Sequence, residues 1–252
     1  MIHVLYGRHG SVTGKELDQA LQDAGYTGKL INWGRGDLSE LHTRPESVLN
    51  RPEAVKLASN KKKALKALKM AGIPVLLTEF ATVYPRDLPV VGRKNYHTQG
   101  AGFYICRTMP EVKAAREAGC THFQHYLEDC REFRVHVINN KVFRISERYG
   151  HKYVEDHTHS GGKFRYPKEF DLLPEVRRYA KESVQAMGLD FGAVDMLYDN
   201  NNGQLYVLEV NSAPSLSTCW AHLLPVYVRA FKTEVPSLDS NALVDAASRA
   251  GR

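Results

Sequence analysis

Residues 190–214, DFGAVDMLYDNNNGQLYVLEVNSAP, constrain this chain more than any other stretch. Two runs rich in aliphatic and aromatic residues flank the turn cluster Asn200 to Gly203. That pattern predicts an antiparallel hairpin. Asp195 lies on its first strand, and Glu209 and Asn211 lie on its second. Side chains two apart on a strand point to one face. Glu209 and Asn211 therefore project together, and Asp195 can face them across the hairpin. Two carboxylates and one amide oxygen then stand on an otherwise apolar ribbon. Hard oxygen donors of this kind suit magnesium, which keeps several waters and shares phosphate oxygens. The small-residue turn SAPSLS that follows would hold Asn211 in place.

The rest of the chain is organised around that hairpin. A length of 252 residues is enough to bury a full core, and 43% hydrophobic with 25% charged residues is an ordinary globular composition. The apolar runs are too short for a membrane span, and Arg8 and His9 break the first one, so neither a membrane protein nor a signal peptide is expected. Cys106, Cys120, Cys130 and Cys219 show no CxxC spacing and read as free thiols of a reducing cytoplasm. The net charge of +6 favours anionic partners such as nucleotide phosphates, acidic peptides or nucleic acid.

Residues 2–6 read as a buried strand, 13–24 as an amphipathic helix and 29–32 as a second strand, a short β-α-β start. Residues 34–52 read as a polar connector. A helix over 60–71 stops at Gly72-Ile73-Pro74. Strands follow at LPVVGRK, FYICR and THFQHYL, with a helix over 110–118. A hairpin turns at Asn139-Asn140, residues 150–168 read as loop, and helices cover 173–187 and 216–232.

Three segments invite a nucleotide reading. GRHGSVTGKE (7–16) has only three residues between Gly10 and Gly14, and Glu16 stands where a phosphate loop needs Ser or Thr, so it is not such a loop. In RKNYHTQGAGF, Arg93 ends a strand, and Thr98, Gln99, Gly100, Ala101 and Gly102 form a small-residue turn. Backbone N–H groups there can approach phosphate, with a cation beside them. FQHYLED combines an aromatic, aliphatic strand with the acids that follow it, a pattern for an adenine slot and a ribose contact.

Taken in order, these pieces resemble the ATP-grasp superfamily over about Asn50 to Leu216. They are most similar to the carboxylate–amine ligases that add glutamate to a ribosomal protein, and to the bacterial spore-coat-associated ATP-grasp family. The resemblance implies an α+β fold of two subdomains gripping ATP, preceded by a short N-terminal β-α-β lobe. It divides the chain into a lobe and connector (1–50), an ATP-grasp domain (51–236) and a tail (237–252). The ATP-binding part is about 60–127 and the metal-binding part 128–236. It puts Lys61 and Arg93 on the α- and β-phosphates, Arg93 standing where the family usually has lysine. It puts the hinge at Gln124, Tyr126, Leu127 and Glu128, with His125 where Glu is usual. Arg134 and Arg148 would lie at the transferred phosphoryl. The loop with His159, Gly161 and Gly162 would close on the phosphates, His157 replacing a usual asparagine. Asp195, Glu209 and Asn211 would hold two magnesium ions, manganese being an alternative metal. Arg8, His9 and Ser11 become substrate contacts.

The chemistry implied is amide or peptide bond formation through an acyl phosphate, releasing ADP and phosphate. Small-molecule, peptide or protein carboxylates and amines would be the substrates, with a homodimer and no membrane contact among the expectations. Two other readings share the fold: a non-catalytic, ATP-binding regulatory module, and a ligase acting on a nucleic-acid-linked substrate. The DFG at Asp190 lacks the other kinase motifs, and His151, His157 and His159 lack the ligand pattern of a zinc site.

Overall fold

The computed structural model describes residues 2–7, 11–39, 48–80, 84–94, 103–149, 163–165, 167, 172–216 and 222–235. Three sheets organise them. The first is small and parallel: β1 (Val4–Tyr6), β2 (Leu30–Trp33) and β3 (Val48–Leu49), with α1 (Ser11–Asp23) on one side. Gly14 lets α1 lie close on β1, because a Cβ there would come 2.5 Å from the Tyr6 side chain. Within GRHGSVTGKE, Gly14 thus serves helix–strand packing. β3 lies inside the stretch that reads as a connector. It escapes pattern reading because two residues carry no periodicity.

α2 (Pro52–Ser59) and α3 (Lys61–Met70) follow, and α2 too lies outside the helix that the sequence predicts. Asn60 separates them, and its side chain accepts from the Lys63 backbone N–H at 3.1 Å, which starts α3 at Lys61. The second sheet is antiparallel with order β4-β7-β5-β6: β4 (Thr78–Phe80), β5 (Val90–Arg93), β6 (Phe103–Cys106) and β7 (His122–His125). α4 (Met109–Glu117) covers it with Val112 and Ala115.

The third and largest sheet has order β10-β9-β8-β11-β12: β8 (Cys130–Ile138), β9 (Lys141–Tyr149), β10 (Lys163–Arg165), β11 (Phe191–Asp199) and β12 (Gln204–Asn211). Asn139 and Asn140, both at positive φ (46° and 60°), make the tight turn between β8 and β9. β10 falls within residues 150–168, which read as loop from sequence. α5 (Leu173–Ala186) lays Val176, Tyr179, Ala180 and Val184 on one face of this sheet, against Phe133, Val135, Val137 and Val194. Each valine or phenylalanine among them contributes about 1.5–3 kcal/mol on burial. α6 (Leu224–Glu234) packs Tyr227 and Phe231 beside Trp33 and Phe191, joining the first sheet to the third. No described helix is long and apolar enough to cross a membrane.

Candidate active site

The face of the third sheet opposite α5 carries the site. Strand alternation and register lay its side chains out in three rows. The middle row runs Glu209–Asp195–Arg134–Ser146 across β12, β11, β8 and β9. One outer row runs Tyr206–Leu197–Glu132–Arg148, and the other Asn211–Ala193–His136–Arg144.

The middle row is a charge-balanced cluster. Arg134 forks onto Asp195, its Nε and Nη2 donating to the two carboxylate oxygens at 2.7 Å each. Lys61, at the first turn of α3, reaches Glu209 at 3.1 Å. Asn211 Nδ2 donates to Asp195 at 3.1 Å and to Glu209 at 3.2 Å. The three residues that the hairpin pattern singles out therefore meet. Burial opposes the charge on Glu209, but Lys61 and Arg93, with hydrogen bonds from Lys61 and Asn211, outweigh it and hold this carboxyl well below the usual range. Burial pushes Asp195 up to about 6, with Arg134 opposing and Glu209 and Glu132 adding to it. Two carboxylates and an amide within hydrogen-bond reach of one another, with the Glu209 side chain 34% exposed, are an oxygen set that fits magnesium. Among the described residues, no cluster of three or more His, Cys, Asp and Glu forms another metal site.

At the Leu197 end lies an open cleft, lined by residues that include Leu76, Val91, Arg93, Tyr126, Leu127 and Leu197. Leu76, Leu127 and Leu197 form a small buried cluster there. Gln124 also lines it, and its side-chain amide is tied to Thr78 at 3.2 Å. The Tyr126 N–H is committed to the Pro89 carbonyl at 3.0 Å. Glu128 is exposed and paired with Arg107. Arg148 pairs with Glu132 at 3.2 Å, one row from Arg134.

The first sheet closes the opposite end. Trp33 stacks on Phe191 with centroids 5.4 Å apart, and the Asn50 side chain bonds the Phe191 and Asp190 backbone. Gly34, at φ +84°, sits so near Ala213 that a Cβ would lie 2.8 Å from its methyl, which brings this lobe against the turn after Asn211. Asp190 accepts the Asn50 N–H at 2.6 Å, so the acid of the DFG triplet is a fastener between sheets. Ser11 begins α1. Arg8, His9, Thr98, Gln99, Gly100, Ala101, Gly102, His151, His157, His159, Gly161, Gly162 and Cys219 lie outside the described residues.

Sequence reading passes over Glu132, Arg144 and Ser146. Their signal is the period-2 alternation of polar residues on β8 (Glu132, Arg134, His136) and β9 (Arg144, Ser146, Arg148). It becomes legible only once the two strands are in register.

A cleft between two sheets, with paired carboxylates and cations at its head, is the architecture of ATP-grasp proteins. The fold matches the structure of D-alanine–D-alanine ligase from Bacillus anthracis in complex with ATP at a TM-score of 0.65, over 98% of each chain with 13% identity. It also matches biotin carboxylase from Campylobacter jejuni at a TM-score of 0.59, over 76% of this chain and 49% of that one with 18% identity. Residues 50–222 match the RimK-like ATP-grasp domain, and the chain belongs to that family. It is 28% identical over 195 residues to a probable alpha-L-glutamate ligase of Mannheimia succiniciproducens, covering 71% of this chain and 64% of that protein. A protein of the same description from Picosynechococcus is 30% identical over 185 residues, covering 66% and 60%. The chain thus spans about three fifths of the length of these relatives.

Proposed function

We propose that this protein is an ATP-dependent carboxylate–amine ligase that forms an amide or peptide bond and releases ADP and phosphate. The observation that carries this reading is the middle row, Glu209–Asp195–Arg134 with Lys61 and Asn211, at the head of an apolar cleft. The glutamate-ligase names of its relatives support an amide-forming reaction. The adenine lies against Leu76, Leu127 and Leu197, and the phosphates run from Arg93 and Lys61 over the middle row. A substrate carboxylate oxygen attacks the γ-phosphorus, ADP leaves, and an amine then displaces phosphate from the acyl carbon, losing a proton as the amide forms.

Asp195, Glu209 and Asn211 would hold magnesium, or manganese through the same oxygens. When bound, the metal neutralises charge on the phosphates and the transferred group. Lys61 and Arg134, which balance these carboxylates in the structure, would share that anionic charge. Arg148 stands one row away as a further cation, tethered by Glu132. We further propose residues 1–50 as a substrate-side lobe, 51–236 as the ATP-grasp domain with parts meeting near 127, and 237–252 as a tail. The unpaired thiols Cys106 and Cys120 fit a cytoplasmic setting.

ADP release tests this reading. Release should require ATP, magnesium and a carboxylate acceptor together, and it should rise when an amine is added. Equal ADP release with no acid would overturn ligation in favour of plain ATP hydrolysis.

A further inference from the structure

α3 carries more positive charge than the site uses. Its sequence is KKKALKALKM, five lysines and no acid. Lys61 is accounted for by Glu209. Lys62, Lys63, Lys66 and Lys69 are exposed, and among the described residues no carboxylate lies within ion-pair distance of them. Lys62 and Lys63 stand in the first turn, where the positive end of the helix repels a cation. Lys62 and Lys66 are four apart, and Lys66 and Lys69 three apart, spacings at which like charges weaken a helix. A helix that holds this much charge with no internal counterion is suited to meet an external one.

Helical spacing sets the shape of that surface. Ala64, Leu65 and Leu68 bury the inner side of α3, which leaves Lys62, Lys66 and Lys69 in one stripe along the outer side. At 1.5 Å per residue the stripe is about 10 Å long, with Lys62 and Lys66 about 6 Å apart along it. In an extended peptide, alternate side chains share a face and repeat at nearly that interval, about 6.6–6.8 Å. β4 lies beside the start of the stripe, with the Lys62 ammonium 5.0 Å from the centroid of the Phe80 ring. β4 is also the edge strand of the second sheet. The Leu77 carbonyl accepts the His125 N–H at 2.9 Å, so alternation turns the backbone groups of Thr78 and Phe80 away from β7. Glu79 shares a face with Phe123 and so points to the α4 side, not to the stripe. A peptide can add to such an edge as a further strand, which a nucleic acid cannot. The stripe also holds no arginine, whose fork is the better match for phosphate.

We propose that the lysine stripe of α3, with the edge of β4, is a docking surface outside the active site for an extended acidic segment of a partner protein. The inference stands apart from the ligase reading, since it uses only surface charge and a strand edge.

A fluorescein-labelled peptide of alternating glutamate and threonine is the probe, its glutamine counterpart is the control, and fluorescence anisotropy is the readout. ADP and magnesium are present throughout, so that the cations of the site are occupied. The glutamate peptide should bind about tenfold more tightly than the glutamine peptide, each exposed ion pair contributing up to about fivefold. Raising the salt from about 0.1 to about 1 M shrinks the screening length from about 10 to about 3 Å and should release it. Lys66→Gln combined with Lys69→Gln should remove most of the preference and leave ADP affinity unchanged. Adding Lys62→Gln should bring the two peptides level. Lys113→Gln, on the exposed side of α4, should change nothing. Because the double substitution relieves like-charge repulsion, that variant should melt no lower than the native protein. Equal affinity of the native protein for the two peptides overturns the proposal, as does a preference that survives the triple substitution. So does an equal loss in Lys113→Gln, or a lower melting midpoint or weaker ADP binding in the double variant. Tighter binding of oligouridylate that depends on the same lysines would make this a nucleic-acid surface and overturn it as well.

Discussion

The two faces of the central sheet are built from the same strands and differ in what their charges do. On the α5 face, Glu147 sits between Arg131 at 2.7 Å and Arg165 at 3.1 Å, with only 3% of its side chain exposed. Burial opposes its charge, but the two arginine hydrogen bonds win and hold the carboxyl below its usual range. Its neighbours are Phe133 across the strand pair and the apolar layer under α5. On the site face, Glu209 is also paired with a cation, yet a third of its side chain meets solvent and its partners come from three elements. One carboxylate closes a core and the other heads a cleft. An ion pair by itself does not distinguish structure from chemistry. Exposure and the reach of the partners do.

The largest expected effect follows from that contrast. On the proposed ligase reading, Glu209→Gln should cut ADP release by about 1000-fold or more, since it replaces a carboxylate that would hold magnesium with an uncharged amide. Thermal unfolding should move by only a few degrees. A large loss of stability would place Glu209 with the core charges instead. Glu147→Ala should do the opposite. It leaves two cations beside an apolar layer, one of them 40% exposed, and should cost about 3 kcal/mol in urea unfolding. The remaining folded fraction should turn over ATP at the native rate per molecule.

The fastener between sheets should give a smaller effect. Asn50 is fully buried at φ +59°, and its amide bonds the Asp190 and Phe191 N–H groups and the Phe191 carbonyl. Asn50→Ala should cost about 2 kcal/mol by the same urea measurement, through unmet buried groups and a left-handed backbone. Smallest is a pH effect. The buried His136 stays uncharged well below the normal histidine range, whereas in the unfolded chain it takes a proton near 6.5. Its contribution is complete above that pH and is lost as pH falls below it. His3, lowered chiefly by burial, adds in the same direction. His136→Gln should flatten the stability profile below pH 6.5 by up to about 1.4 kcal/mol per pH unit. An unchanged profile would show that the imidazole titrates normally.

Much of this was legible in the sequence where a pattern repeats. The β11–β12 hairpin, its turn and the convergence of Asp195, Glu209 and Asn211 follow from period-2 alternation around NNNG. β3 and β4 were not legible, because two- and three-residue strands are defined by their partners and not by their own composition. α2 was hidden by Pro52, which suggests a break but occupies the first helical turn, where no N–H is needed. Arg134 and Arg148 stood out by their place in the motif order. Glu132 and Arg144 did not, since only the register of β8 on β9 shows which charges share a face.

The central claim is that a carboxylate, not water, receives the γ-phosphoryl group. Labelling the oxygens of an acid that stimulates ADP release with 18O, and supplying hydroxylamine as the amine, tests it directly by mass spectrometry of the phosphate. One labelled oxygen is expected in each phosphate released, carried over when the amine displaces phosphate from the acyl carbon. Phosphate that carries no label, its new oxygen drawn only from water, would contradict it.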